Sequence, residues 1–334
     1  MQSITVEELH QFVYRMFRAC KLTPRHAEVC ATHIVTNERR GIISHGLRRL
    51  PNYIARLDAG VINPRARVRV IRRQGATTLL DGQHAMGQVT ATHATSTAIR
   101  LARRYGIACV GAQRCEHIGA LDAYVRTMVE HQLVSFVLCN TPIAMSPIGG
   151  TRPLIGSNPI AIGIPGRLAP LMIFDGTTAA TSRGKLLMAR DAHQPLHAHV
   201  AVDANGAPTT DAQAALAGAI LPSGVLGYGI GLAIGLMTGG MLGGMADSEL
   251  PSFFATPFQP TPGSMLILAI DPTAFGGLAQ LHAVGESWLT QIRQSHGNPR
   301  IPGDLRTIRN EISVPDALAK ELAAIATSKG IPRW

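Results

Sequence analysis

Ile107-Ala108-Cys109-Val110 and Leu133-Val134-Ser135-Phe136-Val137-Leu138-Cys139 bracket the stretch that decides the fold. Both are short apolar runs, which is how a buried strand reads. Residues 120–131 between them have helical spacing, and residues 87–105 before them form a longer helical pattern that stops at Gly106. Further out, strands are expected at 68–71 and 77–80, and downstream at 160–164, 171–174, 200–202 and 265–270. Strands and helices alternating in this way make an α/β domain.

The flanks read differently. Thr5-Val6-Glu7-Glu8 fits a capping box, followed by Leu9, Phe12, Val13, Met16 and Phe17 at helical spacing. Thr23-Pro24 starts a second helix. Residues 44–59 are expected to form a third, kinked or restarted at Pro51 and stopped by Gly60. Two more helices are expected at 276–295 and 315–329. The implied organisation is a discontinuous helical domain of residues 1–75 plus 290–334, and an α/β domain of residues 76–289.

With 334 residues, 46% hydrophobic and 16% charged, the chain is too apolar to be disordered and long enough for a sizeable core. No collagen period and no repeat of about 20–50 residues is present, which excludes a fibre and a solenoid. Cys20, Cys30, Cys109, Cys115 and Cys139 form no Cys-x-x-Cys pair, so neither a disulfide scaffold nor a structural zinc site is expected. The first ten residues lack a basic region followed by an apolar run, so the expectation is a cytoplasmic protein without a secretory signal. Residues 1–110 hold 17 Arg and Lys against 6 Asp and Glu, whereas residues 111–334 hold 14 against 15. A basic half can serve nucleic acid, an anionic small ligand or only a solvated face. No zinc finger, RNA-binding aromatic signature or long basic run accompanies it, so nucleic acid is not the expected partner.

Residues 212–246 carry no charge, and Gly227, Gly231, Gly235, Gly239 and Gly243 recur every four residues. Such a ladder resembles a transmembrane packing face. The segment is isolated and lacks basic flanks, so the expectation is a helix buried against a neighbouring sheet or subunit, with no membrane involved.

No Gly-x-Gly-x-x-Gly follows an expected strand; in Gly227-Tyr228-Gly229-Ile230-Gly231 the third glycine comes one residue early. The dinucleotide fingerprint of the doubly wound fold is therefore missing. The most informative segment is Ser44-His45-Gly46-Leu47-Arg48-Arg49. On a helix, His45 and Arg49 would share a face. An imidazole beside a guanidinium suits a keto or hydroxy acid: Arg49 takes the carboxylate and His45 moves the proton, with Ser44 orienting the ring. The same residues also fit a helix N-terminus capped by Ser44 with surface charge behind it.

Cys115-Glu116-His117-Ile118-Gly119 follows a strand, where α/β sites gather. His117 reads as a second acid/base, a cofactor contact or a structural histidine. Asn140-Thr141-Pro142 and Gly156-Ser157-Asn158-Pro159 are polar turns able to bind substrate or phosphate, or to be ordinary Asx turns. His193, His197 and His199 lie near Asp191 and Asp203, but on a strand only His197 and His199 would be next neighbours on a face. A solvated hairpin without metal is expected there.

Together, the ordered matches resemble the type 2 malate/L-lactate dehydrogenase family from about residue 5 to residue 330. They include Ser44-His45-Gly46 with Arg49 and Tyr53, Met86-Gly87-Gln88, His117-Ile118-Gly119-Ala120, Met145-Ser146-Pro147, Gly156-Ser157-Asn158-Pro159, Asp203-Ala204-Asn205-Gly206 and Ala269-Ile270-Asp271-Pro272. The resemblance implies an α/β, family-specific NAD(P)-binding fold with a mixed central sheet, not the doubly wound Rossmann fold. It implies an NAD- or NADP-dependent oxidoreductase that transfers a hydride between nicotinamide and a small anionic 2-keto, 2-hydroxy or cyclic imino acid. It also implies a homodimer. His45 would donate and accept the proton with Ser44 in support, Arg49 would hold the carboxylate, and Ser157 stands where the family has Thr. His117, itself taken as the base in some members, would join Ile118, Gly119, Ala120, Thr141, Asp175, Gly176, Thr177, Gly227, Pro302, Gly303 and Asp304 around the cofactor.

Three departures stand out: Ala179 in place of Ser, Ser264 in place of His, and Leu226 in place of a cofactor-facing Lys. Losing a direct hydrogen bond from such a lysine should cost about 1–3 kcal/mol. These departures support a second reading, a non-catalytic or weakly catalytic relative that binds an anionic metabolite.

Overall fold

Seven strands form one sheet in the spatial order Arg69–Gln74, Thr77–Asp81, Ile107–Cys115, Gly263–Ile270, Val134–Cys139, Ile160–Ile164 and Met172–Gly176. The computed structural model describes residues 2–253, 256, 258–297, 299–304 and 308–334. Only Thr77–Asp81 and Ile107–Cys115 run parallel; every other neighbouring pair in this sheet is antiparallel. The parallel pair needs a long crossover, and the helix Gly87–Tyr105 supplies it. This helix ends where Gly106 takes φ +79° and donates its N–H to Ala102 O at 2.8 Å. The sheet is therefore mixed, and no doubly wound order develops.

The residues alternate cleanly across the sheet. Ala108, Val110 and Ala112 pack under Ala91, Ala94, Ala98 and Ala102 of the crossover helix, whose small side chains allow close approach. Helix Asp122–Glu130 adds Val125, Met128 and Val129 to the same layer. The opposite face is covered by Ile234 and Leu242, and a Cβ on Gly111 would lie 2.4 Å from Leu242 Cδ2.

The chain ends meet. Gln2–Thr5 pairs antiparallel with Glu311–Val314. Helix Val6–Ala19 opens on the expected capping box, with Thr5 Oγ1 accepting from Glu8 N at 3.2 Å and Glu8 Oε2 accepting from Thr5 N at 3.1 Å. Its buried stripe of Leu9, Phe12, Val13, Met16 and Phe17 shares one hydrophobic cluster with Ile312, Val314, Leu322 and Ala326. Ala85, Met86 and Val89 also enter that cluster, at its seam with the sheet.

Three expectations need correction. Residues 44–59 are not one helix: tight turns at Ile43–His45 and Leu47–Arg49 precede an α-helix at Leu50–Asp58, which restarts at Pro51. Gly46 breaks the run with φ −94° and ψ −137°. Residues 212–246 are not one buried helix either. A short helix Ala212–Ala217 and a strand Ala219–Ile220 come first, and Pro222 precedes the helix Gly224–Gly235, which continues as a π-turn at Leu236–Met241. The glycine edge does serve close packing: a Cβ on Gly227 would lie 2.3 Å from Thr178 O, and one on Gly239 would lie 2.7 Å from Met245 O. The other side is exposed and apolar. Gly224–Met241 is long and apolar enough by composition to cross a membrane, with mean hydropathy 1.4, yet its glycine edge is seated on the chain's own fold. Finally, residues 192–199 form an exposed loop rather than a hairpin, and no metal-binding cluster of His, Cys, Asp or Glu occurs among the described residues.

Candidate active site

A cavity of about 370 Å³ lies where the helical cluster meets the sheet, within the usual range for ligand pockets of roughly 300–1,000 Å³. One wall is the turn that carries Ser44, His45 and Arg49. Helix Pro24–Arg39 grips it on both sides of Gly46: Asn37 Nδ2 donates to His45 O at 2.9 Å, and Glu38 Oε1 accepts from Leu47 N at 2.6 Å. A Cβ on Gly46 would lie 2.3 Å from Glu38 Oε1, so a side chain there would push the carboxylate off Leu47 N. Ser44 Oγ lies 2.9 Å from His45 Nδ1, and Arg49 Nε donates to Ser44 O at 2.7 Å. Imidazole and guanidinium therefore hang from one turn although they share no helix face. Burial, then Arg49 and His33, push the His45 pKa down to about 3.

His117 faces them from the end of Ile107–Cys115, its ring stacked on His45 with 5.7 Å between centroids and 12° between planes. Tyr53 Oη lies 2.6 Å from His117 Nδ1 and accepts from Gln88 Nε2 at 2.9 Å. Burial, with His45 and Arg49 alongside, holds the His117 pKa well below the usual range. Beneath this pair, Arg56 Nη2 meets Glu116 Oε2 at 2.5 Å, and both side chains are buried. Glu116 also takes Thr261 N at 3.3 Å, and the Arg56 guanidinium lies 5.0 Å from the Phe253 ring centroid. Phe253 in turn stacks 4.8 Å from His117.

The remaining wall is polar. Gly119 takes φ +79°, and a Cβ there would lie 2.1 Å from His33 Nε2. Asp175 Oδ2 accepts from Asp122 N at 2.9 Å, a favourable position at a helix N-terminus. Thr177 Oγ1 donates to Ser157 O at 2.8 Å, and Thr141 Oγ1 lies 3.4 Å from Ser157 Oγ. Asn140 bridges Ser264 N and Met245 O, and Ser264 Oγ is buried with no partner among the described residues.

The cavity thus gathers Ser44, His45, Arg49, His117, Ile118, Gly119, Ala120, Thr141, Ser157, Asp175, Gly176 and Thr177. It does not gather Gly227, Pro302, Gly303 or Asp304. Gly227 is used up against Thr178. Pro302 O accepts from Ile173 N at 2.9 Å, Gly303 backs onto Ile173, and Asp304 pairs with Arg293 at 2.8 Å. Position 226 projects outward, 75% exposed, and Ala179 is buried in a satellite core. Neither departure therefore touches the cavity within the protomer, and only Ser264 does. Sequence reading missed Arg183 and Lys185, which line the cavity at the start of helix Arg183–Asp191. The available signal was Ser182, a hydroxyl N-cap set before Arg-Gly-Lys and after a strand.

The buried imidazoles have a stability consequence. His33 is pushed down to about 4 by burial, His45 to about 3, and His117 lower than usual. The unfolded chain takes up these protons near pH 6.5 and the folded chain does not. Stability is therefore full above about pH 6.5 and falls with acidification, by up to about 1.4 kcal/mol per pH unit for each imidazole. Asp81 and Asp304, whose carboxyls are held low, act in the same sense at lower pH, whereas burial raises Glu38 and opposes them. Thermal midpoints measured from pH 7.5 to 4.5 should drop, and His33→Gln should flatten the drop. A constant midpoint would contradict the buried neutral state of these rings.

Comparison with known proteins bears on this arrangement. The family model for malate/L-lactate dehydrogenase matches residues 4–323. The (2R)-3-sulfolactate dehydrogenase (NADP(+)) of Chromohalobacter salexigens is 33% identical over 336 residues, covering 98% of each chain. The Delta(1)-pyrroline-2-carboxylate reductase of Ancylobacter novellus is 31% identical, covering 96% of this chain and 97% of its own. Among solved structures, sulfolactate dehydrogenase from Methanocaldococcus jannaschii superposes with a TM-score of 0.92 at 28% identity, over 99% of this chain and 98% of that one.

Proposed function

From the premise that this chain belongs to the malate/L-lactate dehydrogenase family, we propose that it is an NAD- or NADP-dependent oxidoreductase acting on a small 2-keto or 2-hydroxy acid. The observation that carries the proposal is the His45–Arg49 pair on one turn of the cavity, with Ser44 Oγ 2.9 Å from His45 Nδ1. The relative named for sulfolactate, a 2-hydroxy acid, supports this class, and the one named for pyrroline-2-carboxylate, a cyclic imino acid, is its nitrogen counterpart.

The cavity residues fit a nicotinamide nucleotide. Gly119 and Gly176 present bare backbone, Thr141, Ser157 and Thr177 supply hydroxyls, and the buried Ser264 Oγ has a hydrogen bond to give. When bound, the nucleotide supplies the hydride chemistry. The protein's own task is to bind, orient and move one proton. Arg49 grips the substrate carboxylate and places the C2 oxygen near His45. When His45 Nδ1–H donates to Ser44 Oγ, Nε2 is left to accept the hydroxyl proton during oxidation and to return it during reduction. The substrate carboxylate offsets the Arg49 charge that depresses His45, so the imidazole holds a proton more readily once substrate is bound. His117, fixed through Tyr53 and Gln88, stacks on the His45 ring and holds its orientation.

The test is a fluorescence titration with NADH and NADPH, followed by a panel of 2-keto and cyclic imino acids with the better binder. Saturable binding and substrate-dependent oxidation of the nucleotide are expected. Binding of neither nucleotide at millimolar concentration would reject the proposal.

The same reading includes a cytoplasmic homodimer. All five cysteines are unpaired, which suits a reducing compartment. Val225, Leu226, Leu236 and Met241 are 61–77% exposed along one side of Gly224–Met241, and Val284 and Trp288 are exposed on helix Gly277–Gln294. Apolar surface of this kind marks an interface, and a second copy is its simplest cover. Leu226→Glu with Leu236→Glu should convert a dimer to monomer in sedimentation; an unchanged dimer would put the interface elsewhere.

A further inference from the structure

Arg183 and Lys185 line the cavity but take no part in the proton transfer above. Helix Arg183–Asp191 is docked on the catalytic turn at both ends. A Cβ on Gly184 would lie 3.3 Å from Arg49 Nη2 and 3.7 Å from Ser44 Cβ, and Arg48 reaches Asp191 at 3.4 Å. Arg183 and Lys185 therefore flank Gly184, which lies against Arg49. Ser182 Oγ caps the helix by accepting from Lys185 N at 3.2 Å.

Arg183 Nε is buried and has no hydrogen-bond partner, and neither Arg183 nor Lys185 forms an ion pair among the described residues. Burial lowers the Arg183 pKa, as expected of a cation without a counter-charge. The carboxylates that line the cavity are engaged elsewhere, Glu116 by Arg56 and Asp175 by Asp122 N. A cation left in that state at the Arg49 end of the cavity is suited to an anion carried in by the ligand.

We propose that Arg183, with Lys185 at the cavity mouth, binds the second acidic group of a dianionic substrate. The site would then select short 2-keto or 2-hydroxy acids with a distal carboxylate or sulfonate over those with one charge. The inference rests on the dehydrogenase reading for the position of the first carboxylate, on Arg49. A nucleotide phosphate is the competing anion. It is disfavoured because Gly184 lies against Arg49 and Ser44, at the end of the cavity where the acid is handled.

Arg183→Met keeps the apolar stem and removes the charge. Wild-type enzyme should favour oxaloacetate over pyruvate in kcat/KM. The variant should lose about 50-fold or more on oxaloacetate, mostly in KM, with pyruvate little changed. Lys185→Met should lose less, as befits an exposed residue. Dissociation constants for NADH and NADPH should not move. Equal losses on both acids, no wild-type preference, or selective weakening of NADPH would each overturn the proposal, the last by assigning Arg183 to a cofactor phosphate. Calorimetry with L-malate and L-lactate reads the same subsite without turnover. If wild-type protein turns over neither keto acid but still prefers malate, and Arg183→Met removes that preference, the subsite stands and the dehydrogenase reading fails alone.

Discussion

His45→Asn will lower kcat/KM for the preferred keto acid by about 10²–10⁴-fold, the range for losing a positioned acid/base, while nucleotide affinity stays near wild type. Asparagine keeps a polar group within reach of Ser44 but cannot exchange a proton. The pH profile should carry the same assignment. Burial, Arg49 and His33 hold His45 near 3, so the neutral imidazole is the resting form. In the oxidation direction, which needs a base, kcat/KM should show no acid limb from His45 above about pH 5. In the reduction direction the proton must first reside on His45, and the substrate carboxylate facing Arg49 makes that easier. Reduction should therefore decline as pH rises, and the decline should steepen in Arg49→Lys, which grips the carboxylate less well. Wild-type turnover in His45→Asn would remove this residue from the chemistry and leave His117 as the candidate base.

Arg56→Leu will destabilise the fold by about 3–5 kcal/mol, the cost of stranding one member of a buried ion pair. Arg56 and Glu116 side chains are 0% and 1% exposed and meet at 2.5 Å. Without the guanidinium, Glu116 keeps among the described residues only Thr261 N and the partly exposed His84 ring. The damage should reach activity as well. Glu116 immediately precedes His117, and Arg56 lies against the Phe253 ring that packs on His117. A urea titration reads the stability loss. The double variant Arg56→Leu with Glu116→Leu should recover part of it, since it strands no charge. A single variant within about 1 kcal/mol of wild type would mean that the pair contributes little.

Legibility in the sequence followed the range of the forces involved. Helix Gly87–Tyr105 and strand Ile160–Ile164 have the expected limits. Their signals are local: an alanine face, a left-handed glycine stop and a β-branched run bounded by turns. Residues 44–59 misled because helical spacing was sound locally, whereas Asn37 and Glu38 reach across from another helix to bond either side of Gly46. The glycine ladder at 227–243 was visible, and its use for close packing could be anticipated. Its outer face could not, because burial depends on what else the chain brings near.

The cavity shows the same division. The residue types suited to a keto acid, and their order, were present as Ser44, His45 and Arg49, with His117 and Asp175–Thr177 further on. By itself the sequence therefore determined the α/β class and the family resemblance, since these rest on period and motif, and it supplied the residue types of the candidate acid/base pair. Tertiary structure alone decided that His117 stacks on His45, that Leu226 points away from the cavity, that Pro302 and Gly303 back onto Ile173, and that Gly184 sets Arg183 and Lys185 at the Arg49 end of the cavity. Each of these depends on contacts between segments far apart in the chain, set by how the sheet and helices pack, and no local pattern of residues encodes them.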